Sequence, residues 1–412
     1  MNKRKIITCK KCFYTSNHPL GITFDENGIC SGCTIHEEKY ELDWDYRFSL
    51  LRKLVSQYKS KKGNYDCIVP VTGGNDSFFI VHTVKNILGL NPLLVNYNKY
   101  FNTPIGISNL TNLRTSFNCD ILIQNVNPNS VKKITRETLR RFGNIYWHCI
   151  AGQTVFPVQT AISHKIPLII WGAHQGIEQV GMFSHKHEVE MSRRYRHNHD
   201  LFGYEADDLI DNLNTINDAD IWQYRYPDDH LLNLNGIRGI YLSNYIPWDP
   251  KTQHEMMVEI YGYKSREFNR TFDTYDFVDC YNYMEIHDYL KFLKHGYSKV
   301  VDHVSREIRH KRIDKKKGLK IIRKYIFNKP LYTDLLCEWL SIDKLSLDYV
   351  VNSFHNKSYW NYDVMKDSYE LNSKNIYQEK LTSGSNYLEG FTSNSTINQD
   401  LTEKYITIGK GC

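Results

Sequence analysis

The chain contains no apolar run long enough to cross a membrane. Its most apolar stretches, such as IPLIIWGA at 166–173, fall well short of the roughly 18 residues that a spanning helix requires. The basic start MNKRKIITCKK is not followed by the apolar segment typical of a secretory signal. We therefore expect a cytoplasmic protein that acts without a membrane partner.

Other familiar signatures are missing as well. The chain has neither GxxxxGK[ST] nor GxGxxG after a strand, which argues against kinase-type and dinucleotide-binding interpretations. It begins Met-Asn and shows no Cys-His-Glu set of a glutaminase, so we do not expect it to release its own ammonia from glutamine. No internal repeat occurs at a solenoid period.

What is present suits a folded soluble protein of two or three structural units. The 412 residues are 41% hydrophobic and 24% charged. The net charge is +6, with lysines and arginines concentrated between positions 306 and 329. This charge could attract nucleic acid, but it suits a phosphate-bearing small substrate as well. We regard nucleic acid as the less favoured partner.

Four of the ten cysteines form two knuckles, CKKC (Cys9 and Cys12) and CSGC (Cys30 and Cys33), with 17 residues between them. In a cytosolic chain this spacing indicates a tetrahedral Zn²⁺ site rather than disulfides. The other six cysteines are isolated in the sequence. We predict a structural zinc ribbon.

Alternating patterns follow the ribbon. YDCIVPV, LNPLLVNYN, CDILIQNV and IPLIIWGA are typical of buried strands, and helical periodicity fills the segments between them. This alternation predicts a doubly wound α/β domain with a parallel sheet. Later segments such as QHEMMVEIYGY and NYMEIHDYLKFLKHG are helical in pattern. We predict a zinc ribbon at 1–44, a helix and linker at 45–62, the α/β domain at 63–200, a mostly helical substrate-binding extension at 201–371 and a polar tail at 372–412.

The stretch VTGGNDSFF (71–79) connects the first predicted strand to a helix. At this place in a doubly wound sheet a phosphate binds against the helix N-terminus. Gly73 and Gly74 let backbone amides approach it, and Ser77 adds a hydroxyl donor. Asp76 would bind Mg²⁺ or cap the helix. The alternative is an ordinary tight turn with a helix cap.

Six residues of this stretch, Thr72 to Ser77, resemble the SGGxDS loop of the PP-loop ATP pyrophosphatases. Thr72 stands in the first Ser position, and Asn75 is the variable residue. The resemblance implies a PP-loop domain that cleaves ATP to AMP and pyrophosphate. It also implies that a substrate oxygen is adenylated before a nucleophile displaces AMP.

Further blocks resemble, in order, the bacterial N-acetyl sugar amidotransferase family, over roughly residues 5–355. They are the ribbon, the loop, NTPIGISNL, GNIYWHCIAG, IPLIIWGAHQ, MSRRYRHNHDLFGYEADDL and GYSKVVDHVSREIRHKRIDKKKGLKII. Members act in surface-polysaccharide and nonulosonic-acid pathways, converting an acetamido to an acetamidino group. The resemblance implies an N-acetyl sugar substrate, ATP, Mg²⁺, and ammonia from a partner glutaminase.

Several residues are candidates for this chemistry. Asp76 and Ser77 belong to the loop, and His148 could deprotonate ammonium or orient the acetamido group, although a core histidine is the alternative. His174 follows the strand IPLIIWG toward the same edge of the sheet. Asn96 and Asn98 stand where related enzymes contact adenosine, or are a polar strand end.

Basic residues are candidates for the sugar or pyrophosphate, because Arg forks match such oxyanions. A solvated basic face is the alternative for them. The predicted substrate contacts are Arg193, Arg196, Lys299, Asp302, Arg306 and Arg309, and the predicted nucleotide contacts are Thr72, Gly73, Gly74, Asn75, Asp76, Ser77, Asn96 and Asn98.

Two other functions stay open. Some tRNA-thiolating enzymes also carry a zinc module before a PP-loop, but they need catalytic cysteines after the loop, and those in this chain are isolated. A non-catalytic zinc-ribbon binding protein is the third possibility.

Overall fold

The computed structural model describes residues 6–210, 215–366, 368–373 and 377. Its centre is a five-stranded parallel sheet of order β3-β2-β1-β4-β5. The strands are β1 (Cys67–Pro70), β2 (Pro92–Tyr97), β3 (Ile121–Gln124), β4 (Leu168–Trp171) and β5 (Arg238–Tyr241). The strand order reverses between β1 and β4, which is the topological switch point of a doubly wound sheet.

The central strands are buried because they are nearly continuous apolar runs. Val69 of β1 pairs in register with Leu94 of β2, and Ile68 pairs with Ile169 of β4. All four of these side chains are at most 2% exposed. A parallel sheet covered on both faces requires such strands, and helices pack on the two sides. The predicted α/β class with a parallel sheet is therefore confirmed.

Helices make up most of the rest. The longer ones are Ser31–Glu37, Trp44–Ser56, Asn75–Val81, Pro104–Phe117, Pro128–Phe142, Trp147–His164, Pro250–Tyr261, Tyr281–His295, Lys299–Arg309, Lys315–Tyr325, Thr333–Leu340 and Lys344–Ser353. Shorter helical segments are Glu38–Tyr40, His82–Ile87, Gln175–Glu178, His185–His187, Arg193–Tyr195, Arg196–Asp200, Ala206–Leu209, Asp218–Ile221, Trp222–Tyr224, Asp229–Leu234 and Leu242–Asn244. Within the described ranges, no helix is both long enough and apolar enough to span a bilayer.

Local signals explain the helix that packs under residues 72–77, the glycine loop. It begins where the Thr103 hydroxyl accepts a hydrogen bond from the Gly106 amide, with Pro104 at its first position. It ends at Asn118, whose φ of 49° is the left-handed conformation that closes many helices. The helix predicted from PIGISNLTNLRTSF therefore has the bounds Pro104–Phe117.

The segment predicted as mostly helical also contains strands. Strand β5 lies within it, so the sheet continues beyond the expected boundary at residue 200, and β6 (Trp360–Asp363) with β7 (Ser368–Leu371) forms an antiparallel pair. None of the three is a near-continuous apolar run of the kind that marks β1 to β4 in the sequence. Most of the predicted polar tail lies outside the described residues.

The cysteine-rich ribbon packs on the C-terminal half of the chain. Phe13 and Tyr14 belong to one core cluster with Val304 and Ile308 of helix Lys299–Arg309. Ile321 and Ile322 of the following helix extend the same cluster. The ribbon therefore shares a hydrophobic core with this helix pair.

Gly106 packs where three backbone segments meet. A Cβ on Gly73 would lie 2.3 Å from the Gly106 carbonyl oxygen, and a Cβ on Gly106 would lie 2.4 Å from Asp279 Cα. Gly106→Ala should therefore lower the free energy of unfolding by about 1 to 3 kcal/mol through overpacking. Urea denaturation measures this loss. Ser116→Ala, an exposed substitution on the same helix, is the control, and an equally small effect of both substitutions would contradict the packing.

Candidate functional site

A cavity of about 430 Å³ opens at the carboxyl edge of the sheet, beside the switch point. The loop after β1 contributes Thr72, Gly74 and Asp76, and the loop after β4 contributes Ala173 and Gln175. Ligands of doubly wound sheets bind at this position because two loops diverge there. The cavity is also lined by residues of the ribbon, of the segment 275–279 and of helix Lys299–Arg309.

The glycine loop is held by its own hydrogen bonds. The Thr72 amide donates to Ser77 Oγ at 2.8 Å, and the Gly74 amide donates to Thr72 Oγ1 at 3.0 Å. Gly74 is the N-cap of helix Asn75–Val81, so its neighbouring amides lie at a positive helix end. Gly73 is required by its contact with Gly106, and Ser77 braces the loop through its oxygen. The loop thus presents a preformed turn to the cavity.

Asp76 faces other carboxylates across the cavity. Burial raises the pKa of Asp76 to about 7, and the negative charges of Asp276 and Asp273 add to the effect. The positive charges of Arg306 and Lys299 oppose it. The carboxylate is therefore poised between its charged and neutral forms near neutral pH, and a bound cation would favour the charged form.

Asp273, Asp276 and His303 form a cluster whose ligand atoms all lie within 4.8 Å of one another. His303 Nε2 lies 3.0 Å from Asp276 Oδ2. Burial would raise the pKa of Asp276, but the hydrogen bond with His303 and the charge of Arg306 hold it below its usual value. Asp276 and His303 line the cavity together with Asp76. The carboxylate oxygens of Asp76 and Asp276 are hard ligands of the kind that suits Mg²⁺.

Helix Lys299–Arg309 places four of the predicted substrate residues on the cavity wall: Lys299, Asp302, Arg306 and Arg309. The Arg306 guanidinium is already engaged, with Nη2 at 2.6 Å from Asp273 Oδ2 and 2.7 Å from the Tyr275 hydroxyl. Asp302 accepts a hydrogen bond from the Tyr14 hydroxyl at 2.8 Å and pairs with Lys291.

Arg309 is anchored differently. Its Nη1 donates to the carbonyls of Glu178 and Gln179 at 3.2 and 2.6 Å, and its guanidinium lies 4.9 Å from the centre of the Tyr14 ring. Lys299 has no ion pair within the described ranges and lies 4.4 Å from the centre of the Phe277 ring. Lys299 is therefore the cation of this helix with the greatest freedom to meet an incoming anion.

The four knuckle cysteines are brought together. Cys9, Cys12, Cys30 and Cys33 are fully buried, and their sulfur atoms lie within 4.8 Å of one another. The amides of Cys12 and Cys30 point to Cys9 Sγ at 3.4 and 3.3 Å. Four buried sulfur donors suit Zn²⁺, and these donors fit a metal such as zinc. Tyr14 and His36 of the ribbon reach the cavity wall.

The two predicted histidines are buried away from the lining of this cavity. His148 Nδ1 lies 3.1 Å from the Tyr97 hydroxyl, and burial lowers the pKa of His148 to about 3. His174 packs against Tyr195 and Tyr241, and burial lowers its pKa to about 4. Both surroundings are those of neutral core histidines. The neighbours of His174 in the chain, Ala173 and Gln175, do line the cavity.

Four other predicted contact residues lie outside this cavity, and three of them make hydrogen bonds or ion pairs within the protein. The Asn96 amide nitrogen donates to the Val71 carbonyl at 2.6 Å, and that of Asn98 donates to Asn125 Oδ1 at 2.7 Å. Arg196 is buried, with an ion pair to Glu205 at 2.6 Å, whereas Arg193 is exposed. The structure does not place these four residues on the wall of the first cavity.

Sequence reasoning missed the acidic cluster and a buried ion pair. Lys99 Nζ lies 2.6 Å from Asp279 Oδ2, and both residues line the cavity. Asp273 and Asp276 are separated from the glycine loop by about 200 residues of chain, so no local pattern relates them to it. The one available signal was the acidic spacing in TFDTYDF (271–277), which precedes the basic helix.

The fold and the cavity define an α/β protein with a charged site at the switch point of a parallel sheet. Within it, residues 269–374 match the family described as "LPS biosynthesis protein WbpG-like, C-terminal domain". This region supplies Asp276 and helix Lys299–Arg309 to the cavity. The match is consistent with a sugar-biosynthesis protein and suggests an enzyme.

A second comparison gives a distant relative. The chain is 26% identical over 117 residues to "Uncharacterized protein MJ1599" of Methanocaldococcus jannaschii. The alignment covers 28% of this chain and 42% of the relative. The chain thus spans less than half the length of the curated relative that it matches, and the likeness carries no activity with it.

The cysteine cluster predicts a stoichiometric metal. We expect purified protein to contain about one zinc per chain, because four buried sulfur donors within 4.8 Å of one another can form one closed site. Cys33→Ser should lose this metal, as measured by inductively coupled plasma mass spectrometry. Cys119→Ser, which alters an isolated half-buried thiol, should keep it. Equal zinc contents in the two variants would contradict the assignment.

The raised pKa of Asp76 predicts a pH-dependent stability. A neutral buried carboxyl stabilises the fold fully below about pH 4, and this stability is lost as pH rises toward 7. Asp76→Asn removes the cost of ionisation, so its melting temperature should exceed that of the wild type by about 2 to 4 °C at pH 8 and by much less at pH 4.5.

Differential scanning fluorimetry without added divalent cation measures this difference. The control is Asp229→Asn, which changes an exposed aspartate and should not reproduce the gain at pH 8. A constant difference between Asp76→Asn and the wild type at both pH values would show that Asp76 ionises normally.

Proposed function

We propose that the protein is an ATP-dependent amidotransferase that converts the acetamido group of an N-acetyl sugar into an acetamidino group. One observation carries the proposal. The glycine loop, through Thr72, Gly74 and Asp76, and helix Lys299–Arg309 of the WbpG-like region line a single cavity. A loop suited to phosphates and a region matched to lipopolysaccharide biosynthesis thus contribute to one site.

The chemistry requires activation because an amide carbonyl is a poor electrophile. The acetamido oxygen attacks the α-phosphorus of ATP, pyrophosphate leaves, and the amide nitrogen loses its proton. Ammonia then adds to the resulting imidate carbon, and AMP departs with the former acetamido oxygen. The sum is amide, ATP and ammonia giving amidine, AMP and pyrophosphate.

The chain's own residues supply binding and charge. The backbone amides that follow Gly74 stabilise phosphate oxygens at the start of helix Asn75–Val81. Lys299 offers an ammonium without an ion pair in the described part of the chain, on the cavity wall. The Ser77 oxygen holds the Thr72 amide, which keeps the loop in shape before a ligand enters. The loop therefore costs little reorganisation at the moment of reaction.

Mg²⁺, when bound, neutralises the negative charge of the phosphate oxygens. Asp76 and Asp276 are the residues that would hold it, since both carboxylates line the cavity. Arg306 pairs with both Asp273 and Asp276, and its charge helps to hold the pKa of Asp276 below its usual value. Ammonia is proposed to come from a glutaminase on a separate chain.

No particular observation favours tRNA thiolation. Cys280 lies beside the ion pair of Lys99 and Asp279 on the cavity wall, with its sulfur 3.3 Å from Lys99 Nζ. Burial and the charge of Asp279 raise the pKa of Cys280 to about 11, so it is a protonated thiol at neutral pH. A sulfur carrier needs a reactive thiolate. The amidotransferase function uses none.

AMP release from ATP tests the proposed function. With Mg²⁺, ammonium and a panel of free and nucleotide-linked N-acetyl sugars, we expect AMP only when both sugar and ammonium are present. Asp76→Asn and Asp276→Asn should each lower the rate about 100-fold or more. Each substitution removes a carboxylate that would hold Mg²⁺, and without Mg²⁺ the negative charge on the leaving pyrophosphate is not neutralised.

Asp229→Asn is the matched control at an exposed aspartate and should keep the wild-type rate. AMP that depends on tRNA and a sulfur donor would favour thiolation instead. The absence of AMP in every mixture would favour a non-catalytic binding protein.

A further inference from the structure

A second cavity, of about 720 Å³, shares a wall with the first. Tyr146, Gln153, Gln175, Phe277 and Lys299 line both. A molecule in the second cavity can therefore present one end to the first. The volume is within the range of sites that hold metabolite-sized ligands.

One face of helix Tyr281–His295 gives this second cavity a basic wall. His287, Lys291, Lys294 and His295 all line it. His287, Lys291 and Lys294 follow one another at intervals of four and three residues, which places them on one side of the helix. None of these positions belongs to the glycine loop or to the acidic cluster.

The carboxylates of the second cavity are already paired. Asp302 pairs with Lys291, Asp288 lies 2.8 Å from Arg270 Nε, and Asp200 lies 2.7 Å from His199 Nδ1. The negative charges of Asp302 and Asp288 are therefore compensated locally by Lys291 and Arg270. The remaining cations determine the character of the cavity.

Lys294 is one of those cations. Its Nζ donates to the Phe142 carbonyl at 3.1 Å, and it has no ion pair within the described ranges. Burial lowers the pKa of Lys294 to about 8, so most of it still carries a proton at neutral pH. A half-buried ammonium with no ion pair in the described ranges favours an anionic ligand.

The two histidines beside Lys294 can assist. Burial and the charge of Lys294 lower the pKa of both His287 and His295 to about 3, so each is neutral and has one N–H to donate. His287 Nδ1 is buried and has no hydrogen-bond partner among the described residues. The cluster thus offers an ammonium and imidazole donors to the same guest.

Aromatic rings line other parts of the cavity. Phe142 and Tyr204 are stacked with ring centroids 3.8 Å apart, and Trp147 also lines the space. Flat apolar surfaces of this kind pack against sugar C–H groups or a nucleobase, and polar groups set the orientation. The cavity therefore combines an anion-binding end with an apolar surface.

We propose that the second cavity is the acceptor site and that Lys294, with His287 and His295, binds an anionic group of the acceptor sugar. This inference rests on the proposed amidotransferase function. The anionic group is a phosphate or a carboxylate, and the acetamido group of the same sugar reaches the first cavity past Lys299.

Isothermal titration calorimetry of the zinc-loaded full chain tests the inference. It is done with Mg²⁺ and α,β-methylene-ATP present, so that binding is measured without reaction. The probes are neutral N-acetylglucosamine, N-acetylglucosamine 1-phosphate, UDP-N-acetylglucosamine and the carboxylate N-acetylneuraminic acid. We expect at least one anionic probe to bind about tenfold or more tightly than the neutral sugar, and the better anion identifies phosphate or carboxylate.

Lys294→Gln should lower the affinity for the favoured anionic probe about tenfold and leave the affinity for α,β-methylene-ATP unchanged. Lys316→Gln, at an exposed lysine, is the matched control. His295→Gln should also lower the affinity for this probe, and it serves as the second variant if Lys294→Gln fails to fold. Equal binding of neutral and anionic probes, or wild-type affinity in the folded variant, would overturn the inference.

The outcome also separates the two proposals. Anion binding that depends on Lys294, in a protein that releases no AMP with any sugar, would support the anion site and contradict the amidotransferase function. AMP release with a neutral sugar, unaffected by Lys294→Gln, would support the function and overturn the anion site.

Discussion

The buried polar face of helix Lys299–Arg309 holds the parts of the site together. Arg306 pairs with Asp273, Asp302 accepts from Tyr14 of the ribbon, and Arg309 bonds to the carbonyls of the segment after β4. Each bond joins a different segment of the chain, and Arg309 is only 2% exposed. Charged groups this deeply buried persist only when they are paired, so the helix cannot shift without breaking all three contacts.

Through the same helix, the cysteine-rich ribbon becomes part of the site. Gly32 lies against the Arg309 guanidinium so closely that a Cβ there would be 2.4 Å from Nη2. Four thiolates around one Zn²⁺ would leave a net negative charge, which the buried guanidinium would compensate. The ribbon is thus a wall of the cavity that braces the cationic helix. Asp273 and Asp276 of the acidic cluster pair with Arg306 and so balance the positive charge of the same helix.

Local patterns predicted the parts whose chemistry is local. The apolar strands, the capped helix Pro104–Phe117 and the two cysteine knuckles are each specified by neighbouring residues. The roles of other residues depend on tertiary contacts with distant segments, which no single window of sequence contains. Asp276, Lys294 and Lys99 are examples. His148 shows the converse: the sequence left it open as a group acting on ammonium or the acetamido group or as a core histidine, and Tyr97 and Phe101 enclose it in a core.

The central claim is that one cavity activates an acetamido oxygen with ATP. Transfer of isotope tests it most directly: an anionic N-acetyl sugar labelled with ¹⁸O in the acetamido carbonyl is incubated with ATP, Mg²⁺ and ammonium, and the products are weighed by mass spectrometry. The account predicts that the label appears in the phosphate of AMP and that the sugar product gains an amidine nitrogen. Unlabelled AMP, or label retained in the sugar, would contradict it.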